Sequence, residues 1–179
     1  MGGGQEGEKQ YERPSPVVAP IKAAWPHPEW TEMLVKSLED YGSGLLAGYY
    51  PGTCGDKKEF WVALLVELAR FESNWKTETK FTETFNDSKG KPVVSRGLFQ
   101  LSIESANGYG CKLKKPEELH DPATNIRCAV IIANKWVTSD MVIHGKSGNR
   151  WVGLSRYWSP LRDAEKTKAI MDKARGTCQ

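Results

Sequence analysis

Glu72 closes the apolar helical run Phe60-Trp61-Val62-Ala63-Leu64-Leu65-Val66-Glu67-Leu68-Ala69-Arg70-Phe71, and Ser73-Asn74-Trp75 follow at once. At helical spacing Leu64, Leu65, Leu68 and Glu72 share one face, so a carboxyl group continues a stripe that should be buried. Burial disfavours the ionised form, and the negative end of the helix dipole pushes the same way. A carboxylic acid kept protonated near neutral pH is what general acid catalysis requires. Glu67 stands one position off that face and is better placed to pair with Arg70.

A second carboxylate could come from the polar stretch 76–96, which holds Glu78, Glu83 and Asp87. The three histidines, His27, His120 and His144, share no metal-like spacing, and none of the four cysteines forms a CxxC pair. No metal and no organic cofactor is expected. Cys54, Cys111, Cys128 and Cys178 allow three pairings of two disulfides in an oxidising compartment. Cys111 and Cys128 flank a loop and a helix start and are paired first, which leaves Cys54 with Cys178. Four free buried thiols are the alternative.

The elements that must position these groups are mainly helical. Residues 1–28 carry five prolines with glycine and charge, and read as a linker or extended arm over the surface. Residues 29–179 form one domain, about what the length allows. A first helix is predicted from Pro28 to Tyr41, with Trp30, Met33, Leu34, Leu38 and Tyr41 inward and Gly42 and Gly44 at its end. Val93-Val94, flanked by Lys-Gly-Lys-Pro, suggests a short strand or hairpin. Asp121-Pro122 is a helix start, with Asp as the N-cap and Pro at the first helical position. The helix from Ala123 to Val137 that follows should be core. His144 to Asn149 reads as turn, and Leu161 to Arg175 as a polar final helix.

The net charge of +3 is mild and its basic residues are scattered, apart from Lys112, Lys114 and Lys115. No concentrated stripe of the kind that binds duplex DNA is present, so no nucleic-acid partner is expected. The Phe60–Phe71 run carries Glu67 and Arg70 and is too short to span a bilayer, so no transmembrane segment is expected. The start, Met1-Gly2-Gly3-Gly4-Gln5-Glu6-Gly7, shows no signal peptide and reads as a flexible leader. A periplasmic or secreted location is inferred from the cysteines and from function.

Four features stand in order: Glu72-Ser73, then Gly97-Leu98-Phe99-Gln100-Leu101-Ser102, then Asp121-Pro122-Ala123-Thr124-Asn125-Ile126, then Tyr157-Trp158. This arrangement resembles the catalytic domain of soluble lytic transglycosylases and goose-type lysozymes, over about residues 58–160. The family pattern is Glu-Ser, Gly-Leu-Met-Gln, Asp-Pro-x-x-Asn-Ile and a late Tyr-Asn. The resemblance implies a mainly α, lysozyme-like fold with a minor β element beside the cleft. It also implies a monomer acting on peptidoglycan glycan strands, at the β-1,4 bond between N-acetylmuramic acid and N-acetylglucosamine.

Under that resemblance Glu72 matches the catalytic acid, and Gln100 the glutamine lining the cleft. Phe99 stands where methionine is usual and should alter the wall of a sugar subsite. Tyr157 matches the late tyrosine near the catalytic carboxyl, and Trp158 replaces an asparagine. Ser73, Ser102 and Tyr109 are further candidates for substrate contact, while Asn125 is expected to be structural. Trp75, Trp151 and Trp158 are either core residues or sugar platforms.

One acid suffices if the substrate's own N-acetyl group attacks the anomeric carbon. Glu72 first protonates the leaving oxygen and then takes the C6 hydroxyl proton as a 1,6-anhydro ring closes, which is lytic transglycosylation. The alternative recruits Glu83 or Asp87 to hold a water, as in an inverting hydrolase. That route would also serve de-N-acetylated glycan, whose amines acidic residues would favour. A non-catalytic wall-binding protein on the same fold is the rival class, and it would not require a buried acid.

Overall fold

The computed structural model describes residues 20–48 and 57–178. It is mainly helical, with six α-helices and two small hairpins among the described residues. The helices are α1 (Pro28–Tyr41), α2 (Ser43–Ala47), α3 (Lys57–Ser73), α4 (Ile103–Gly108), α5 (Pro122–Asp140) and α6 (Ala164–Arg175). β1 (Lys80–Asn86) pairs antiparallel with β2 (Pro92–Arg96), and β3 (His144–Ser147) with β4 (Arg150–Gly153).

α3 is apolar on most sides and forms the centre of the domain. Phe60, Trp61, Leu64, Leu65 and Leu68 are fully buried, and the helix packs against α1, α2 and α6. Glu67, also buried, forms the expected ion pair with Arg70, Nη2 to Oε1 at 2.6 Å. α5 begins as its sequence dictates: Asp121 accepts a hydrogen bond from the Thr124 amide at 3.1 Å, and Pro122 opens the first turn. α1 has the predicted bounds, with Leu34 and Leu38 fully buried.

Several expectations are corrected. Tyr41 is 43 % exposed rather than inward, because α1 ends there at Gly42 and α2 turns away. Trp25, assigned to a surface arm, is buried against Trp30, and its Nε1–H donates to Thr31 Oγ1 at 2.8 Å. Residues 1–19 of that arm lie outside the described residues. The final helix starts at Ala164, not Leu161, because the Asp163 side chain accepts from the Lys166 amide and caps it there. Residues 144–149, read as turn, instead carry β3 and the tip of the β3–β4 hairpin.

Cys111 and Cys128 are joined by a disulfide that ties the loop after α4 to α5. Cys54, the expected partner of Cys178, lies outside the described residues. Among the described residues no helix is long and apolar enough to cross a membrane.

Candidate active site

The chain reverses sharply behind Glu72. Asn74 and Trp75 both take left-handed backbone angles, φ 52° and 59°, which cost non-glycine residues about 1–2 kcal/mol each. The Trp75 indole N–H, donating to Val66 O at 2.8 Å, helps hold that turn. The reversal leaves the Glu72 carboxyl at the end of α3, facing a cavity of about 640 Å³.

The floor of the cavity is the turn Gly97-Leu98-Phe99-Gln100. Gly97 has φ 77°, and a Cβ there would lie 2.2 Å from Leu119 O and 2.4 Å from Asn125 Nδ2. Only glycine fits. Asn125, fully buried on α5, donates from Nδ2 to Arg96 O (3.0 Å) and Leu119 O (2.8 Å) and accepts from the Phe99 amide (2.9 Å). Its amide is fully used as a structural clamp. Trp158 donates its indole N–H to Phe99 O at 3.0 Å, so the residue in place of asparagine still supplies a polar contact.

The hairpin forms one wall. Phe81, Glu83 and Phe85 alternate with Thr82 and Thr84 on β1, and all three line the cavity. The ladder is irregular between Thr82 and Asn86, where four steps on β1 face two on β2. Such a bulge re-aims side chains. Phe81 and Phe85 are 57 % and 58 % exposed, unusual for rings of that size. Glu83 accepts from Ser95 Oγ at 2.7 Å.

Burial pushes the Glu72 carboxyl up to about 8, with the negative charge of Glu83 as the second cause and Lys166 opposing. At neutral pH Glu72 is therefore mostly protonated. A proton donor and a neighbouring carboxylate share one cleft, the pairing that glycosidic cleavage uses.

The other candidates divide. Gln100 lines the cavity, but both its amide hydrogens go to backbone, Thr79 O (3.0 Å) and Gly97 O (2.9 Å). Tyr157 lines the cavity beside Ser102 and Ser105, with its phenol raised by burial. Ser102 reaches the cavity edge, but its hydroxyl caps α4 by accepting from the Ser105 amide.

Ser73 is buried, with its hydroxyl proton shared between Leu98 O (2.8 Å) and Ala69 O (3.1 Å). It therefore fastens α3 to the floor rather than meeting substrate. Phe99 is fully buried beneath the floor and forms no subsite wall, since the turn directs it into the core. Tyr109 stands behind the cleft: its ring packs edge-on to Tyr157 at 6.0 Å, and its hydroxyl accepts from Trp136 Nε1 at 2.6 Å. Asp87 reaches the rim, but its Oδ1 accepts from the Lys89 and Lys91 amides, both at 2.9 Å, and closes the hairpin turn.

Among the lining residues that escaped the sequence reading, four stand out. Phe81 and Phe85 were signalled by their period-two alternation around Glu83. Arg156 and Arg162 carry no sequence signal; the fold alone brings them to the cavity wall.

The model of the transglycosylase SLT domain matches residues 50–139. Among solved structures, the wild-type form of DslA and two of its glutamate-to-glutamine variants are similar, each at 37% identity and a TM-score of 0.79. The match covers 84% of this chain and 91% of that one. No sequence among curated proteins matches. The chain thus belongs to the transglycosylase SLT family, the peptidoglycan lytic transglycosylases, and has its lysozyme-like fold.

Proposed function

We propose that this enzyme cleaves the β-1,4 bond between N-acetylmuramic acid and N-acetylglucosamine, with Glu72 as general acid and then base. The observation that carries the reading is a half-buried carboxyl, protonated up to about pH 8, lining a cavity large enough for sugar rings. Glu72 gives its proton to the leaving oxygen, and the substrate's acetamide oxygen attacks the anomeric carbon. The ionised Glu72 then takes the C6 hydroxyl proton while the C6 oxygen attacks the anomeric carbon, displaces the acetamide oxygen and so closes the 1,6-anhydro ring. We take the enzyme to act as a monomer in the cell envelope, periplasmic or secreted, where this substrate is found.

A second reading is hydrolysis, with Glu83 holding the water. Glu83 lines the same cavity, and its charge is felt at Glu72. The two glutamates replaced in the DslA variants stand eleven positions apart, the spacing of Glu72 and Glu83. Asp87 is the weaker candidate, because its carboxylate serves the hairpin turn. A strand stripped of its acetyl groups offers no acetamide, so turnover of such strands would depend on Glu83.

Mass spectrometry of products from acetylated and de-N-acetylated peptidoglycan separates these readings. Anhydro-muramoyl ends support transglycosylation; reducing ends, heavier by one water, support hydrolysis. Glu72→Gln should lower either activity by at least about 10²-fold while leaving glycan binding. Undiminished lysis by that variant would end the assignment of Glu72.

A further inference from the structure

The cavity has two unlike walls. The hairpin side carries Glu83 and two exposed phenyl rings, while the side built from residues 154–162 carries two guanidinium groups. Arg156 is held by Asp140 through Nε–H (2.7 Å) and Nη2–H (2.6 Å), and lies 4.4 Å over the Trp136 ring. That carboxylate neutralises it.

Arg162 differs. Its Nε–H donates to Ser155 O at 2.6 Å and its Nη2–H to Arg156 O at 2.8 Å. No carboxylate lies within ion-pair distance of it among the described residues. Two carbonyls and the Trp151 ring, whose centroid lies 5.8 Å from Cζ, thus orient the guanidinium and leave its Nη1 hydrogens and a charge with no carboxylate partner at the cavity wall. A guanidinium fixed in this way is preorganised to bind a carboxylate, because little further side-chain freedom is lost.

We propose that Arg162 binds a carboxylate on the lactyl arm of the muramoyl residue. This rests on the reading that the cavity takes a muramoyl glycan. The carboxylate has two sources: the lactyl group itself where the strand is bare, or the amino acids of the stem peptide attached to it. The sugar rings are otherwise neutral, so a cationic wall has no other partner on an acetylated strand. Glu83 on the hairpin side would repel the same carboxylate, and the two walls together set which way round a strand lies in the cleft.

The test is calorimetric binding in the Glu72→Gln background, which removes turnover. Three ligands are compared: a neutral chitin oligosaccharide, amidase-treated strands with free lactyl carboxylates, and strands with intact peptides. Arg162→Gln keeps an amide to serve the backbone carbonyls but removes the charge. It should raise Kd for carboxylate-bearing strands about three- to tenfold relative to the neutral oligosaccharide. Arg162→Lys should recover most of that loss at low salt. An effect on amidase-treated strands alone assigns the lactyl carboxylate, an effect on peptide-bearing strands alone assigns the peptide, and an effect on both shows that either carboxylate serves. Equal weakening of all three ligands by Arg162→Gln, or no weakening of either carboxylate-bearing strand, overturns the proposal. Failure of the parent Glu72→Gln protein to bind any of them would instead remove the glycan reading beneath it.

Discussion

Replacing Glu72 with glutamine should abolish activity and, at neutral pH, make the protein more stable. In the unfolded chain a glutamate titrates near 4.5, and in the cleft Glu72 keeps its proton to about pH 8. Between those values the folded state binds the proton more tightly than the unfolded state, so stability falls as pH rises. The loss is about 1.4 kcal/mol for each pH step above 4.5, or about 3.4 kcal/mol at pH 7. Water in the open cleft screens part of this, leaving about 2 kcal/mol. Glutamine has the same shape and no charge to desolvate, so it should recover that amount.

For a domain of this size the gain corresponds to a melting temperature about 4–8 °C higher at pH 7. At pH 4, where both states are protonated, the gap should nearly vanish. Thermal unfolding of both proteins followed by circular dichroism at the two pH values measures it. A variant no more stable than wild type at pH 7, or an equal gap at pH 4, would refute the burial argument for Glu72. Wild-type turnover should also decline as pH rises through about 8, where the acid loses its proton.

Other outcomes follow from the same geometry. Glu83→Gln should move that alkaline limb to lower pH while leaving it well above 4.5, since burial is the larger cause; an unmoved limb in the pH–rate profile would separate the two carboxylates. Phe81→Ala and Phe85→Ala should raise KM more than they lower kcat and leave the melting temperature within about 1 °C, because exposed rings contribute little to the core. Gly97→Ala should cost at least about 3 kcal/mol in urea denaturation, as its Cβ meets both a carbonyl and the clamping amide. Reducing the Cys111–Cys128 bridge should cost about 3 kcal/mol, the chain entropy of its loop, and a reductant titration of thermal stability reads it.

Most of what fixes the helices is local and could be read from the chain. The Asp121-Pro122 cap, the Glu67–Arg70 spacing and the Pro28–Tyr41 periodicity each depend on residues within one or two turns. Glu72 was legible for the same reason, as a polar residue continuing an apolar stripe. The floor was harder. Gly-Leu-Phe-Gln places four side chains in sequence, but the turn sends Phe99 into the core and Gln100 toward the cleft, and adjacency cannot tell those directions apart. Ser73 follows the acid, yet helix geometry turns it inward to Leu98. His-Gly-Lys-Ser-Gly-Asn-Arg-Trp lacks the apolar alternation that marks a strand, so β3–β4 emerged only with the fold. Arg156 and Arg162 acquire meaning from what they face, which no spacing encodes.

Phe99 sits where three distant stretches of chain meet. Its amide is satisfied by a side chain 26 residues on, and its carbonyl by one 59 residues on. Backbone bonds close the turn between Gly97 and Gln100 and between Arg96 and Leu101, but the Phe99 amide and carbonyl are satisfied only once α5 and the segment around Trp158 have docked. The far anchor of that turn, Trp158, thus lies near the end of the chain. A fragment ending at the last residue of α5 would keep Glu72, Glu83 and every motif up to Asn125, yet lack the far anchor of the floor. Such a fragment would therefore leave the Phe99 carbonyl without the indole that anchors it in the full chain.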